Sequence, residues 1–233
     1  MIKVYPAEER YSVDHGWLQS NFSFSFAEYY DPNNLQFGPL RVLNDDIIQP
    51  LKGFGAHPHR EMEIVSIVLK GQLKHEDSTG KTAITSFGGV QRMSAGTGVV
   101  HSEVNPSAED EVNLLQLWFL PEENELPPSY EQTEFDVEKL QNQLLPIVSK
   151  QSGENIAHIH QDLTIYLADL QREKEISFTQ KSGRKIFLFV IEGEVMLNNS
   201  ITLKRRDSSR IANIASLAIK ASTQSRLMLI DLP

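Results

Sequence analysis

The chain has 233 residues, 40% hydrophobic and 23% charged, with 22 Lys+Arg against 31 Asp+Glu for a formal net charge of −9, and it contains no cysteine. These values fit an ordinary folded soluble protein, and the negative charge opposes nonspecific attraction to nucleic-acid phosphates or anionic lipid. The missing cysteine excludes disulfides, thiolate metal sites and cysteine nucleophiles, so any metal must be held by His, Asp or Glu.

Residues 1–10 lack the apolar segment of a secretory signal and no apolar run approaches membrane-spanning length, so the expected location is cytoplasmic, with no membrane partner. The first element expected is a strand at Phe22-Ser23-Phe24-Ser25-Phe26, where aromatics alternate with serines at the two-residue strand period. Its phenylalanines read as core. A turn follows at 30–34, strands at 40–44 and 64–69, a tight turn at 77–81, and another strand at 114–120. Many short strands with few helices predict an all-β sandwich or barrel.

After Pro121 the acidic, proline-bearing run Glu122-Glu123-Asn124-Glu125-Leu126-Pro127-Pro128 suits neither a central strand nor a helix interior. It opens an interdomain connection that ends near Glu154, with a helical turn around 137–140. The expected domains are 1–132 and 155–233, joined by 133–154. The second half repeats the β texture: Val68-Leu69-Lys70-Gly71-Gln72-Leu73 is echoed by Val190-Ile191-Glu192-Gly193-Glu194-Val195, an offset of 190 − 68 = 122 residues. The echo suggests a duplicated barrel.

The sharpest chemical signal is Gly53-Phe54-Gly55-Ala56-His57-Pro58-His59, followed by Glu63, and then Gly98-Val99-Val100-His101-Ser102-Glu103. Residues i and i+2 of a strand project from one face, so His57 with His59, and His101 with Glu103, can each aim two ligands at one point. Three neutral nitrogens and a carboxylate leave open positions on a divalent ion, and suit Fe(II), Mn(II), Co(II), Ni(II), Cu(II) or Zn(II), with Fe(II) the first candidate. Glu63 lies an even step from His59, so strand parity admits it as an alternative carboxylate.

The other histidines read differently. His158-Ile159-His160 is a second His-x-His pair, but no later histidine completes a site. Applying the 122-residue offset to His57, His59, His101 and Glu103 gives Thr179, Lys181, Thr223 and Ser225, so the second barrel is expected to lack a metal site. His15 and His75 read as loop or surface residues. Gly96-Thr97-Gly98 reads as a turn feeding His101 into the barrel, since it lacks the lysine and strand-to-helix setting of a phosphate loop.

The paired motifs resemble those of the cupin superfamily, and the whole chain is similar to pirin-like proteins. The resemblance rests on His15-Gly16-Trp17-Leu18, Phe24 to Pro32, Leu40-Arg41-Val42-Leu43-Asn44-Asp45-Asp46, Gly55 to Glu63, Met93 to Pro106 and Leu115-Gln116-Leu117-Trp118. It implies a bicupin, two antiparallel β-barrel (jelly-roll) domains face to face, with metal only in the N-terminal one. In the pirin pattern the carboxylate follows the third histidine, which selects Glu103 over Glu63 and gives the ligand set His57, His59, His101 and Glu103.

Pirin-like proteins include flavonol dioxygenases of the quercetinase type, which use O2 and release CO, and a nuclear transcription cofactor. The function expected from the resemblance is therefore a metal-dependent dioxygenase acting on a flavonol-like ring, with Glu103 as ligand and proton acceptor. The alternative is a metal- or redox-sensing regulator that binds a protein partner and not nucleic acid directly. Gln116 and Met93 are expected to support or line the site.

Overall fold

The computed structural model describes residues 1–233 and is built almost wholly from antiparallel strands, as expected for an all-β bicupin. The chain divides into two compact units, each discontinuous in sequence: Tyr11–Phe135 with Lys150–Gln161, and Met1–Arg10 with Asp136–Ser149 and Asp162–Pro233. These limits differ from the contiguous ranges read in the sequence. Strand β1 (Ile2–Tyr5) pairs with a late strand of the C-terminal unit, a long-range register that no local pattern announces.

The N-terminal unit holds β2 (Tyr11–Asp14), β3 (Leu18–Phe22), β4 (Leu40–Ile48), β5 (Gly53–His59), β6 (Glu63–Lys70), β7 (Leu73–Asp77), β8 (Thr82–Thr85), β9 (Gly89–Ser94), β10 (Val99–Val104), β11 (Val112–Phe119) and β12 (Ser129–Glu134). Its larger sheet runs β12-β9-β6-β11-β4-β3-β2, its smaller one β5-β10-β7-β8. The expected strand at 22–26 stops at Phe22: Ser25 bonds Asp31 through both its side chain and that residue's backbone, and Ala27 takes φ 49, so the chain turns. The stretch read as linker contains β12, which pairs along β9 from Ser129↔Ser94 to Glu134↔Gly89. It also contains the 3-10 turn Val137–Leu140, capped by the Asp136 side chain, which accepts from the Glu138 N–H.

The C-terminal unit holds β13 (Leu145–Ser149), β15 (Thr164–Leu170), β16 (Glu175–Thr179), β17 (Lys185–Glu192), β18 (Val195–Leu197), β19 (Ile201–Leu203), β20 (Ser208–Ala212), β21 (Ser216–Ala221) and β22 (Ser225–Leu232); β14 (Ala157–His158) lies in the segment that belongs with the N-terminal unit. The order β1-β20-β17-β22-β15-β13 repeats β12-β9-β6-β11-β4-β3 of the first barrel, and β16-β21-β18-β19 repeats β5-β10-β7-β8. Duplication is thus visible in topology where the sequence showed one short echo.

The inward faces differ. Across β4, β11 and β6 of the first barrel, one row of directly paired residues is Asn44, Gln116 and Ser66. The corresponding row across β15, β22 and β17 is Tyr166, Leu229 and Leu188. Leu188 and Leu229 sit in a fourteen-residue, fully buried apolar cluster with Val190, Leu197 and Ile219 among others. In the first barrel, apolar packing of Leu18, Ile48, Val68, Leu73 and Leu114 occupies one part of the interior and leaves the polar row beside it.

Candidate metal centre

Strands β5 and β10 pair antiparallel with His101 directly opposite His57, so three imidazoles occupy adjacent positions on one face. Between His57 and Phe54 the register shifts by one residue, with Gly55 and Ala56 together opposing Ser102. A bulge of this kind re-aims the side chains around it. Here it lets Phe54 face the same side as His57 despite their odd spacing, and turns the Gly55 carbonyl toward His57 Nδ1 at 2.7 Å. Gly53 is required for the approach of these strands, since a Cβ there would lie 2.3 Å from the Glu103 carbonyl oxygen. The Gly96-Thr97-Gly98 turn leads into β10 as expected. A Cβ on Gly96, at φ +47, would meet the Leu126 carbonyl oxygen at 1.8 Å.

The Nε2 atom of His57 lies 2.9 Å from that of His59 and 3.1 Å from that of His101. Because Nδ1 of His57 faces a carbonyl, which can only accept, Nδ1 carries the proton and Nε2 keeps its lone pair. Burial lowers His59 to about 4, helped by the neighbouring His57. Burial likewise lowers His101 to about 3, with further contributions from His59, His57 and His75. Imidazole lone pairs aimed at one point are what a divalent cation takes as ligands, and the burial of His59 and His101 disfavours their protonated forms. The donor set therefore fits a divalent metal.

Glu103 is 3% exposed, on the same strand face as His101. Its Oε1 accepts from Ser66 Oγ at 2.8 Å and its Oε2 from the Gln116 amide, so the carboxylate is held from two strands of the larger sheet. Burial raises its pKa against the lowering effect of these hydrogen bonds and of His75 and His57. Glu63, the alternative by parity, points elsewhere. It accepts from Ser94 Oγ at 2.7 Å, from the His160 backbone N–H at 3.0 Å and from the Gln161 N–H at 2.8 Å. Its counterpart Glu131 accepts from the His158 N–H at 2.9 Å. The second His-x-His pair is thus a segment latched by two carboxylates onto the N-terminal unit.

His75, read from sequence as a loop or surface residue, is 1% exposed and belongs to the site. It lies on β7, directly opposite Glu103, with Asp77 opposite His101. Its Nε2 lies 2.9 Å from Asp77 Oδ2, and its Nδ1 lies 3.4 Å from His101 Nδ1. The tautomers follow in sequence: a carboxylate accepts, so His75 donates from Nε2; His75 Nδ1 then accepts from His101 Nδ1–H; and His101 Nε2 is left with its lone pair toward His57 and His59. Tyr130 stacks on the His75 ring at 4.1 Å. The sequence signal was present, since His75 and Asp77 are themselves an i, i+2 pair leading into the expected turn at 77–81. Met93 borders this buried side with His75, Glu103 and Tyr130 and not the main cavity, while Gln116 supports Glu103 as expected.

The histidines open into a cavity of about 360 Å³. Its walls are aromatic: Phe26 meets Trp118 edge-on at 5.3 Å, Phe22 meets Phe26 at 5.2 Å, and Trp17 meets Phe54 at 5.5 Å. Phe24 and Phe22 are buried as expected, Phe22 also lining the cavity, whereas Phe26 is a cavity wall. His15, exposed in its loop, also reaches the cavity lining, as do Ser20, Asn44 and Asp46. Burial pushes the Asp46 carboxyl up to about 7, opposed by the Ser20 hydroxyl and reinforced by Asp45 and Glu103.

The corresponding strands of the C-terminal barrel carry no such set. The 122-residue offset holds from β5, β6 and β7 to β16, β17 and β18, so Thr179 matches His57, but a shorter connection after β18 breaks it. By register Ser216 stands opposite Thr179, in the place of His101, and β21 reads Ser-Leu-Ala-Ile-Lys-Ala, without histidine or carboxylate. Thr223 and Ser225, given by the fixed offset, lie instead after β21 and at the start of β22.

Residues 5–119 match the family described as Pirin, and residues 146–232 the quercetinase C-terminal cupin domain. A protein named quercetin 2,3-dioxygenase from Escherichia coli (strain K12) is 40% identical over 233 residues, covering 100% of this chain and 99% of its own. The crystal structure of the bacterial pirin YhhW in complex with nickel(II), from Escherichia coli, superposes with a TM-score of 0.94 at 38% identity, covering 100% of this chain and 99% of that one. A quercetin 2,3-dioxygenase from Acinetobacter baumannii shares the fold with a TM-score of 0.80 at 21% identity, over 98% and 85% of the two chains.

Proposed function

Because this chain belongs to the pirin family, we propose that it is a metal-dependent dioxygenase of the quercetin 2,3-dioxygenase type, opening a flavonol ring with O2 and releasing CO. The observation that carries this reading is the set of three converging imidazole nitrogens at an aromatic-walled cavity of about 360 Å³. Such a volume lies within the range of sites for small organic ligands, and flat walls suit a flat ring. The cavity favours an enzyme over the alternative regulator that docks a protein partner.

In this proposal His57, His59 and His101 hold the metal, with Glu103 beside them as the carboxylate. Fe(II) remains the first candidate; nickel(II) is the ion in the related YhhW structure. Bound there, a divalent metal would supply Lewis acidity to a substrate hydroxyl and a route for electrons to O2. The remaining work falls to the chain. Phe22, Phe26 and Trp118 clamp the ring and exclude water. Glu103, its pKa raised by burial and its oxygens fixed by Ser66 and Gln116, takes the proton of the substrate hydroxyl and returns it to the carboxylic product. A carboxylate that ligates the metal cannot serve as base at the same moment, so the two roles of Glu103 alternate.

The test is anaerobic reconstitution with Fe(II), Mn(II), Co(II), Ni(II) or Cu(II), followed by O2 uptake and loss of flavonol absorbance with quercetin. Turnover that requires metal and disappears in His57→Ala, His59→Ala supports the reading and ranks the ions. Tight metal binding without oxidation of any flavonol would refute it.

A further inference from the structure

One side of the cavity is not used by the metal reading. Asn44 and Asp46 lie two residues apart on β4 and both line the cavity, with Ser20 paired opposite Asp46 on β3. All three are buried, at 4%, 2% and 2% exposure. The Ser20 hydroxyl donates to Asp46 Oδ1, which fixes the carboxyl group. Asn44 Oδ1 is buried without a hydrogen-bond partner, although a buried amide oxygen left unpaired is costly. No Lys or Arg lines the cavity, so nothing there neutralises a second carboxylate.

From this arrangement we propose that Ser20, Asn44 and Asp46 form a hydroxyl-recognising pole, which binds a second hydroxyl of the substrate apart from the one at the histidines. The proposal rests on the reading of this cavity as the substrate site. A hydroxyl is the group that fits, because it donates one proton and accepts on its lone pairs. The Asn44 amide offers a donor and an acceptor, and Asp46 offers an acceptor when ionised or a donor when protonated. The ionisable neighbours are Asp45 on the same strand and, lining the cavity, Glu103, Glu28, His15 and the three clustered histidines; Asp45 and Glu103 favour the protonated carboxyl. An anionic second group would meet two carboxylates and be rejected. The corresponding positions of the other barrel, Tyr166 and Ala168, place no carboxylate or amide in that row.

The experiment is anaerobic binding to the metal-reconstituted protein, read by quenching of tryptophan fluorescence, with a panel of flavonols each lacking one hydroxyl other than the one at the histidines. Wild type is expected to bind one hydroxylated member about tenfold or more above its deoxy analogue, the size of a hydrogen bond to a charged or buried group. Asp46→Ala should erase that preference while leaving affinity for the deoxy analogue within ~2-fold and metal content unchanged. Asp46→Asn should keep part of the preference but lose its variation between pH 6 and 8. An unchanged preference in Asp46→Ala, or an equal loss for every ligand, overturns the proposal. Selective binding without O2 uptake would sink the dioxygenase reading and leave this inference standing; turnover with no role for Asp46 would do the reverse. Failure of every flavonol to bind would remove both.

Discussion

The two barrels share strand order and pairing, yet only one opens a cavity onto clustered histidines and carboxylates, and a single row of residues shows the difference. Where Asn44, Gln116 and Ser66 run across the first barrel, Tyr166, Leu229 and Leu188 run across the second. Burying Leu188 and Leu229 contributes roughly 1.5–3 kcal/mol each, whereas the polar row contributes little net stability because its hydrogen bonds replace bonds to water. The first barrel gives up packing to hold a carboxylate in place; the second keeps it. Equal folds thus divide into a polar interior and an apolar one.

The strongest way to break this comparison is to remove ligands from one barrel and their counterparts from the other. His57→Ala with His59→Ala should weaken metal binding at least ~1,000-fold, beyond the 10–100-fold that follows loss of a supporting contact. Thr179→Ala with Ser216→Ala should leave metal content at the wild-type value. Metal analysis after dialysis checks both, and bound metal surviving the first variant would place the ion elsewhere.

Next in size is a graft of polarity. Leu229→Gln puts into the second barrel the residue that Gln116 is in the first, but without a Glu103 or Ser66 to bond it. Loss of packing plus an unpaired amide should cost about 3 kcal/mol, seen as a lower denaturation midpoint with unchanged slope. A variant as stable as wild type would mean that the second interior tolerates polar groups and that the contrast is not energetic.

A smaller effect is expected behind the histidines. His75→Phe keeps the ring that stacks on Tyr130 but removes the acceptor of His101 Nδ1–H, and should lower metal affinity ~10–100-fold. Asp77→Asn should act in the same direction. Unaltered affinity in both would reduce His75 to packing.

The smallest is a pH effect with a definite sign. The unfolded Asp46 carboxyl titrates near 3.8 and the folded one at about 7, so the folded state binds a proton that the unfolded chain releases. Its contribution to stability is complete below about 3.8 and is lost as pH rises through 7. Metal-free Asp46→Asn should therefore gain on wild type by about 1–3 kcal/mol between pH 5 and pH 8, measured by thermal unfolding. His59 and His101 run oppositely: their stability is present above 6.5 and lost as pH falls through about 4 and 3.

The strand rule that alternate residues share a face paired His57 with His59 and His101 with Glu103, because each pair is local, and the family resemblance joined the two pairs. What it could not supply is pairing across the sheet. His75 and Asp77 join the site only because β7 is the other neighbour of β10, and Asp46 only because β4 brings it under the same cavity. Parity left Glu63 and Glu103 undecided and the resemblance selected Glu103; in the fold the β6 residue that meets Glu103 is Ser66, while Glu63 bonds Ser94. The unit limits were illegible for the same reason. Nothing local in Ile2–Tyr5 says that its partner lies some two hundred residues away, from Ser208 to Ile211.

The extra residue at Gly55–Ala56 also bears on how such a centre could arise or be transplanted. Strand β16 meets β21 in unbroken register from Glu175↔Lys220 to Thr179↔Ser216, so the second barrel has no equivalent irregularity. Exchanging side chains there for histidines and a glutamate would copy those side chains but not the carbonyl that selects the tautomer of His57. Converting that barrel would take an insertion as well as substitutions, a change of chain length that stepwise point mutation cannot reach.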